Sequence, residues 1–141
     1  MTWGTRYRLP WTELDRASIE TARAAITAAW PEVSVKTIYQ DSDRACCLCT
    51  VPTHLARSLE RDFGGLVSDF DRYLAIQQRS DAPELVLEID FDFLPGLPEH
   101  DLPPEWTLSW DTGMGDNRYA VGAAEILTRH MAERLSATRL A

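Results

Sequence analysis

Three carboxylates at alternate positions are the residues of this sequence best placed to do chemistry. Glu88, Asp90 and Asp92 alternate with the apolar residues Ile89 and Phe91. Side chains at positions i, i+2 and i+4 of a β-strand point to the same face of the sheet. Carboxylates gathered in this way can attract a positively charged protein, or they can ligate a divalent cation through their oxygens. Both uses require a strand at this place in the chain.

The negative charge of the chain is concentrated in one segment. The 141 residues include 14 basic and 22 acidic side chains, which gives a formal net charge of −8. The rest of the chain has a slight excess of basic side chains, because residues 80–117 contain ten of the acidic residues and no Lys or Arg. This segment therefore accounts for the whole net negative charge. Its acidic residues are Asp81, Glu84, Glu88, Asp90, Asp92, Glu99, Asp101, Glu105, Asp111 and Asp116.

A second alternating run, at residues 106–111, adds a fourth carboxylate to this surface. If the two runs pair as strands, Glu88, Asp90, Asp92 and Asp111 share one sheet face, opposite the aromatic residues. Like charges repel, so we expect an external cation, and a basic protein partner is the favoured one. An immunity protein that neutralises a toxin is the most concrete version, with these four residues as its partner-binding site. A solvated face that only maintains solubility, and a secretion-type chaperone, are the non-catalytic alternatives.

The same strand supports one catalytic alternative. The run Glu88-Ile-Asp-Phe-Asp92 resembles the acidic strand of nucleotidyltransferases, and Phe63-Gly64-Gly65 upstream resembles their glycine turn. The resemblance implies that Asp90 and Asp92 hold Mg²⁺ while the glycine turn approaches a triphosphate. The implied activity is Mg²⁺-dependent nucleotidyl transfer.

The cysteines are expected to pack in the core. Cys46, Cys47 and Cys49 lie in one apolar run, where strand alternation points Cys46 away from the other two. Cys47, Cys49 and His54 could supply three zinc ligands, whereas a structural zinc site normally takes four, usually with C-x₂₋₄-C spacing. An odd, crowded set of cysteines also gives a poor basis for a disulfide framework, as expected in the cytoplasm. We therefore predict a cytoplasmic protein without a metal site or a cofactor.

Composition disfavours several classes of partner. A net charge of −8 without a basic stripe disfavours binding to nucleic acid. No apolar run approaches the ~20 residues that span a bilayer, so no membrane association is predicted. The excess of Arg over Lys is typical of a GC-rich, bacterial genome. Trp3 and Trp11 are candidates for packing over the core or for anchoring a homodimer.

Hydrophobic periodicity predicts the elements that must position these residues. A capping box at Thr12 and Asp15 begins the first helix, and Pro31 stops it. We predict one α+β domain over residues 1–141, in which a mostly antiparallel sheet of about four strands packs on amphipathic helices. The predicted order α-β-β-α-β-β-α comprises a helix over about 13–29, strands over 33–40 and 45–51, a helix from 53 to 77 that Gly64-Gly65 kinks or divides, strands over 84–93 and 106–111, and a terminal helix capped by Asp116 or Asn117 and extending to about 135.

Overall fold

The computed structural model describes residues 5–63, 83–112 and 118–140. Over these residues the protein is α+β, with one six-stranded antiparallel sheet and three α-helices. The elements in chain order are β1 (Tyr7–Leu9), α1 (Arg16–Ala29), β2 (Ser34–Gln40), β3 (Arg44–Pro52), α2 (Thr53–Phe63), β4 (Glu84–Leu94), a 3₁₀ turn (Pro98–His100), β5 (Glu105–Asp111), α3 (Arg118–Arg134) and β6 (Thr138–Arg139).

The strand order is β2-β3-β4-β5-β1-β6, and every neighbouring pair is antiparallel. The predicted fold class is confirmed, but the expectation of about four strands is wrong. The two additional strands, β1 and β6, have three and two residues, which is too short for alternation to be visible in the sequence. They extend the sheet beyond β5, where Tyr7 lies opposite Leu108.

The three helices pack on one face of the sheet. α3 contacts β4 and β5, α2 contacts β3 and β4, and α1 contacts β2, while α3 also contacts both other helices. The strand residues that alternate toward this side are buried; in β4 they are Leu85, Leu87, Ile89 and Phe91. Together with the apolar stripes of the helices they form one core. We call the opposite side of the sheet the outer face.

Two local predictions need correction. The N-cap of α1 is Asp15, whose Oδ1 accepts a hydrogen bond from the Ser18 amide at 2.7 Å, so the helix begins three residues later than a cap at Thr12 implied. In β2, the register shifts between Thr37 and Tyr39. This bulge places Tyr39 opposite Cys46 on the outer face, whereas strict alternation would have placed it with Thr37 toward the core.

Tight packing fixes the helices against one another. A Cβ on Gly122 of α3 would lie 2.6 Å from the Glu60 Cα of α2, so only glycine permits this approach.

Trp11 stacks on Phe91 with ring centroids 5.5 Å apart, so it packs over the core.

Several predictions fall outside the described residues. These are the position of Trp3, the helix beyond Phe63 with its Gly64-Gly65 interruption, and the Asp116 or Asn117 cap. Among the helices that the structure describes, none has the length and apolar character needed to cross a membrane.

Candidate functional site

Pairing of β4 with β5 builds an acidic surface on the outer face. Glu88 lies opposite Asp111, Asp90 lies opposite Ser109, and Asp92 lies opposite Thr107. All four carboxylates named from the sequence therefore point to the same side of the sheet, away from the helices. Glu88 is exposed, and the other three are half-buried. We call Glu88, Asp90 and Asp111 the acidic cluster.

A cysteine of the neighbouring strand lies beside the acidic cluster. Cys46 of β3 is directly opposite Asp90, and its thiol donates a hydrogen bond to the Asp90 carboxylate. Only 2% of Cys46 is exposed, although it lies on the outer face. Burial, followed by the negative charge of Asp90, raises the pKa of the Cys46 thiol far above its usual range. Cys46 therefore stays a protonated hydrogen-bond donor at neutral pH.

Asp90 has the most strongly perturbed carboxyl group of the outer face. Its pKa is raised to about 6, chiefly because burial disfavours the charged form. Glu88, Asp92 and Asp111 raise the pKa further by repulsion, while the hydrogen bond with Cys46 acts in the opposite direction. The negative charge on Asp90 is thus maintained at neutral pH at the expense of stability. The attraction of an approaching cation would offset the cost of both the repulsion and the desolvation.

Two cations lie near Asp92. Arg44 of β3 lies directly opposite Asp92. The positive charges of Arg44 and Arg6 lower the pKa of Asp92 and partly offset the increase in pKa that burial causes. The Arg44 guanidinium is held in place by the Tyr39 hydroxyl, which accepts its Nε and Nη2 protons at 3.0 and 2.6 Å. The bulge in β2 makes this contact possible. Sequence alternation alone did not indicate that Arg44 would moderate the charge of Asp92.

The residues that resemble a metal site overlap only in part with those named from the sequence. Among the described residues, one group brings three ligand atoms within 4.8 Å of one another, and it consists of Cys46, Glu88 and Asp90. Asp92 is outside this group. A thiol must lose its proton to bind a metal, and the raised pKa of Cys46 opposes that loss. The hydrogen bond between Cys46 and Asp90 accounts for their proximity without an ion.

The candidate zinc ligands Cys47, Cys49 and His54 do not converge on one point. Cys47 and Cys49 are buried in the core, as predicted. His54 is exposed, and its Nε2 lies 2.9 Å from a carboxylate oxygen of Glu32. The three residues therefore form no zinc site. The glycine turn of the nucleotidyltransferase resemblance, Gly64-Gly65, lies outside the described residues.

Sequence reasoning missed a buried carboxylate on the helical side of the sheet. Glu125 of α3 is 6% exposed, and its Oε1 accepts hydrogen bonds from Trp110 Nε1 at 2.6 Å and from the Thr5 amide at 2.7 Å. It also lies close enough to Tyr7 to contribute to the raised pKa of that phenol, whose main cause is burial. The only signal in the sequence was an acidic residue beside the apolar stripe of the terminal helix. Glu125 ties α3 to β5 and to the segment before β1.

Comparison with known proteins gives this site no precedent. No protein-family model matches the chain, and neither a curated protein nor a solved structure does. The interpretation of the outer face therefore depends on its own geometry and charge.

Proposed function

We propose that this protein binds and neutralises a basic protein partner through the outer face of its sheet, in the manner of an immunity protein that inhibits a toxin. The observation that carries the proposal is the environment of Asp90, a half-buried carboxylate that Glu88, Asp92 and Asp111 all repel. A Lys or Arg side chain of a partner would remove that repulsion. This attraction would stabilise the complex relative to the two separated proteins.

Charge on this face also favours fast and selective encounter. A surface of one sign raises the association rate with an oppositely charged protein and disfavours partners of the same sign. The acidic cluster occupies two successive outward-facing positions of β4, Glu88 and Asp90, and the position of β5 opposite Glu88. It therefore presents a compact target rather than a diffuse one. Asp92, with Arg44 beside it, is expected to contribute less than Asp90.

The experiment is capture of a partner on immobilised protein from a lysate of the source organism. We expect the wild type to retain a basic protein at about 50 mM salt and to release it at about 500 mM, where screening shortens electrostatic interactions to a few ångströms. The triple variant Glu88→Gln, Asp90→Asn, Asp111→Asn should lose the same protein, with affinity reduced at least about tenfold.

A matched variant distinguishes the effect of the acidic cluster on binding from the effect of net charge. Glu13→Gln, Glu32→Gln, Glu133→Gln removes the same three charges from exposed positions outside the outer face, and it should retain the partner. A partner whose capture ignores salt and survives neutralisation of the acidic cluster would contradict the proposal. So would equal loss of binding in both variants.

The second candidate remains a Mg²⁺-dependent nucleotidyl-transfer enzyme. Its supporting observation is that Asp90 and Asp92 follow one another on the same face of β4. A melting temperature that rises in millimolar Mg²⁺, together with loss of that rise in the variant Asp90→Asn, Asp92→Asn, would favour the enzyme over the binding protein.

A further inference from the structure

An apolar groove lies at one end of the outer face, where β4 passes into the β4–β5 loop of residues 95–104. It has a volume of about 390 Å³, and Leu94, Leu97 and Leu102 supply its apolar side chains together with two prolines. The three leucines are 42%, 48% and 53% exposed. Single exposed leucines are common, but three around one concave surface mark a place where another molecule can bind.

The loop that forms the groove is held in one shape by its own backbone. The Leu97 amide donates to the Leu102 carbonyl at 2.9 Å, and the Leu102 amide donates to the Leu97 carbonyl at 3.1 Å. Gly96 has a φ of +80°, and a Cβ there would lie 2.5 Å from the Leu102 oxygen. Because glycine adopts this conformation without strain, the chain closes tightly on itself. A preformed groove loses little conformational entropy when a side chain enters it.

The charges around the groove favour a basic ligand. Arg8 lines it, but its Nε already lies 2.6 Å from the Glu105 carboxylate. Glu99 and Asp101 are exposed on the loop. Toward the centre of the outer face, Asp90 lies four residues before Leu94 on the same strand, a distance of about 13 Å. The groove and the acidic cluster therefore lie on the same face of β4, with Asp92 between them.

We propose that this groove receives an apolar side chain of the basic partner, so that the outer face recognises a segment in which an apolar residue and a Lys or Arg are four to six residues apart. This inference rests on the proposed function and adds the anchor that fixes the register of the partner. Charge attracts the segment to the outer face, and burial of one leucine or aromatic side chain among Leu94, Leu97 and Leu102 holds it there.

Two fluorescent peptides of equal charge test the anchor. Both have four arginines and a Gly-Ser spacer, and they differ only in carrying Leu-Trp or Ser-Ser at the other end. Anisotropy titration should show the Leu-Trp peptide binding about tenfold more tightly to the wild-type protein, the effect expected from burying one large apolar side chain. The variant Leu97→Ser, Leu102→Ser should remove this preference. Ile38→Ser, which truncates an equally exposed apolar residue of β2, should preserve it, and melting curves check that each variant is folded.

The possible results separate the anchor from the proposed function. Equal affinity for the two peptides, with both released by the triple variant of the acidic cluster, would overturn the anchor and leave the proposed function standing. A preference that persists in the Leu97→Ser, Leu102→Ser variant would place the apolar contact elsewhere and also overturn it. Failure of both peptides to bind would count against the proposed function itself.

Discussion

Two carboxylates on opposite sides of the same sheet differ in how hydrogen bonds compensate their burial. Glu125, on the helical side, is almost completely buried and accepts two N–H hydrogen bonds at one oxygen. Asp90, on the outer face, is half-buried; it accepts a hydrogen bond from the Cys46 thiol and is repelled by three other carboxylates. Burial is compensated by strong donors in the first case and by one weak donor in the second.

This difference distinguishes a carboxylate that stabilises the fold from one that would be stabilised by a cation of another molecule. A buried carboxylate that is satisfied within the chain stabilises the fold and has little left to offer another molecule. A carboxylate that is partly desolvated and repelled by its neighbours gains when a cation arrives. We therefore infer that Glu125 stabilises the fold, and we propose that Asp90 contributes to binding a partner.

The largest effect is expected at Glu125. Glu125→Ala leaves the Trp110 Nε1 proton and the Thr5 amide without their acceptor, and it should lower the free energy of unfolding by about 3 kcal/mol. Urea denaturation followed by tryptophan fluorescence measures this. Glu125→Gln keeps an acceptor oxygen and should lose less. If the alanine variant lost less than about 0.5 kcal/mol of unfolding free energy, as is typical of surface substitutions, Glu125 would not be a carboxylate that stabilises the fold.

A smaller effect of opposite sign is expected at Asp90. Its pKa is raised from 3.8 to about 6 in the folded protein, so the folded state binds more protons between these values, and stability falls as the pH rises through this interval. Asp90→Asn removes the charge and keeps an acceptor for the Cys46 thiol. The variant should be about 1 kcal/mol more stable than the wild type at pH 7, a figure reduced for partial exposure.

The two proteins should converge in stability as the pH falls toward 4, where Asp90 of the wild type becomes protonated. Urea denaturation at several pH values measures this, and Glu13→Gln provides a matched control at an exposed position. An Asp90→Asn variant that is less stable than the wild type at pH 7, or that shows the same pH dependence, would remove the distinction between the two carboxylates.

Sequence periodicity predicted the sheet residues of the outer face and failed where tertiary contacts decide. Alternation in β4 and β5 is sustained over many residues, so the shared face of Glu88 and Asp111 followed once the strands paired. β1 and β6 are too short to show a period. Sheet pairing determines them instead, because β1 pairs with β5 and β6 pairs with β1.

The environment of the site depended on details that no pattern reveals. A bulge in β2 moved Tyr39 to the outer face, where its hydroxyl positions Arg44 near Asp92. Cys46 was predicted to point away from the other cysteines, but its hydrogen bond with Asp90 required the register of β3 and β4. Long-range pairing of this kind is set by the whole sheet and not by local sequence.

The most direct test of the central claim is to map where a cationic ligand binds. Isotopically labelled protein titrated with the Ser-Ser peptide, whose only binding groups are its arginines, should show amide chemical-shift changes concentrated around Glu88, Asp90 and Asp111. The triple variant of the acidic cluster should abolish them. Changes concentrated on the exposed surfaces of α1 and α3, or unchanged by the triple variant, would contradict the assignment of the outer face to a basic partner.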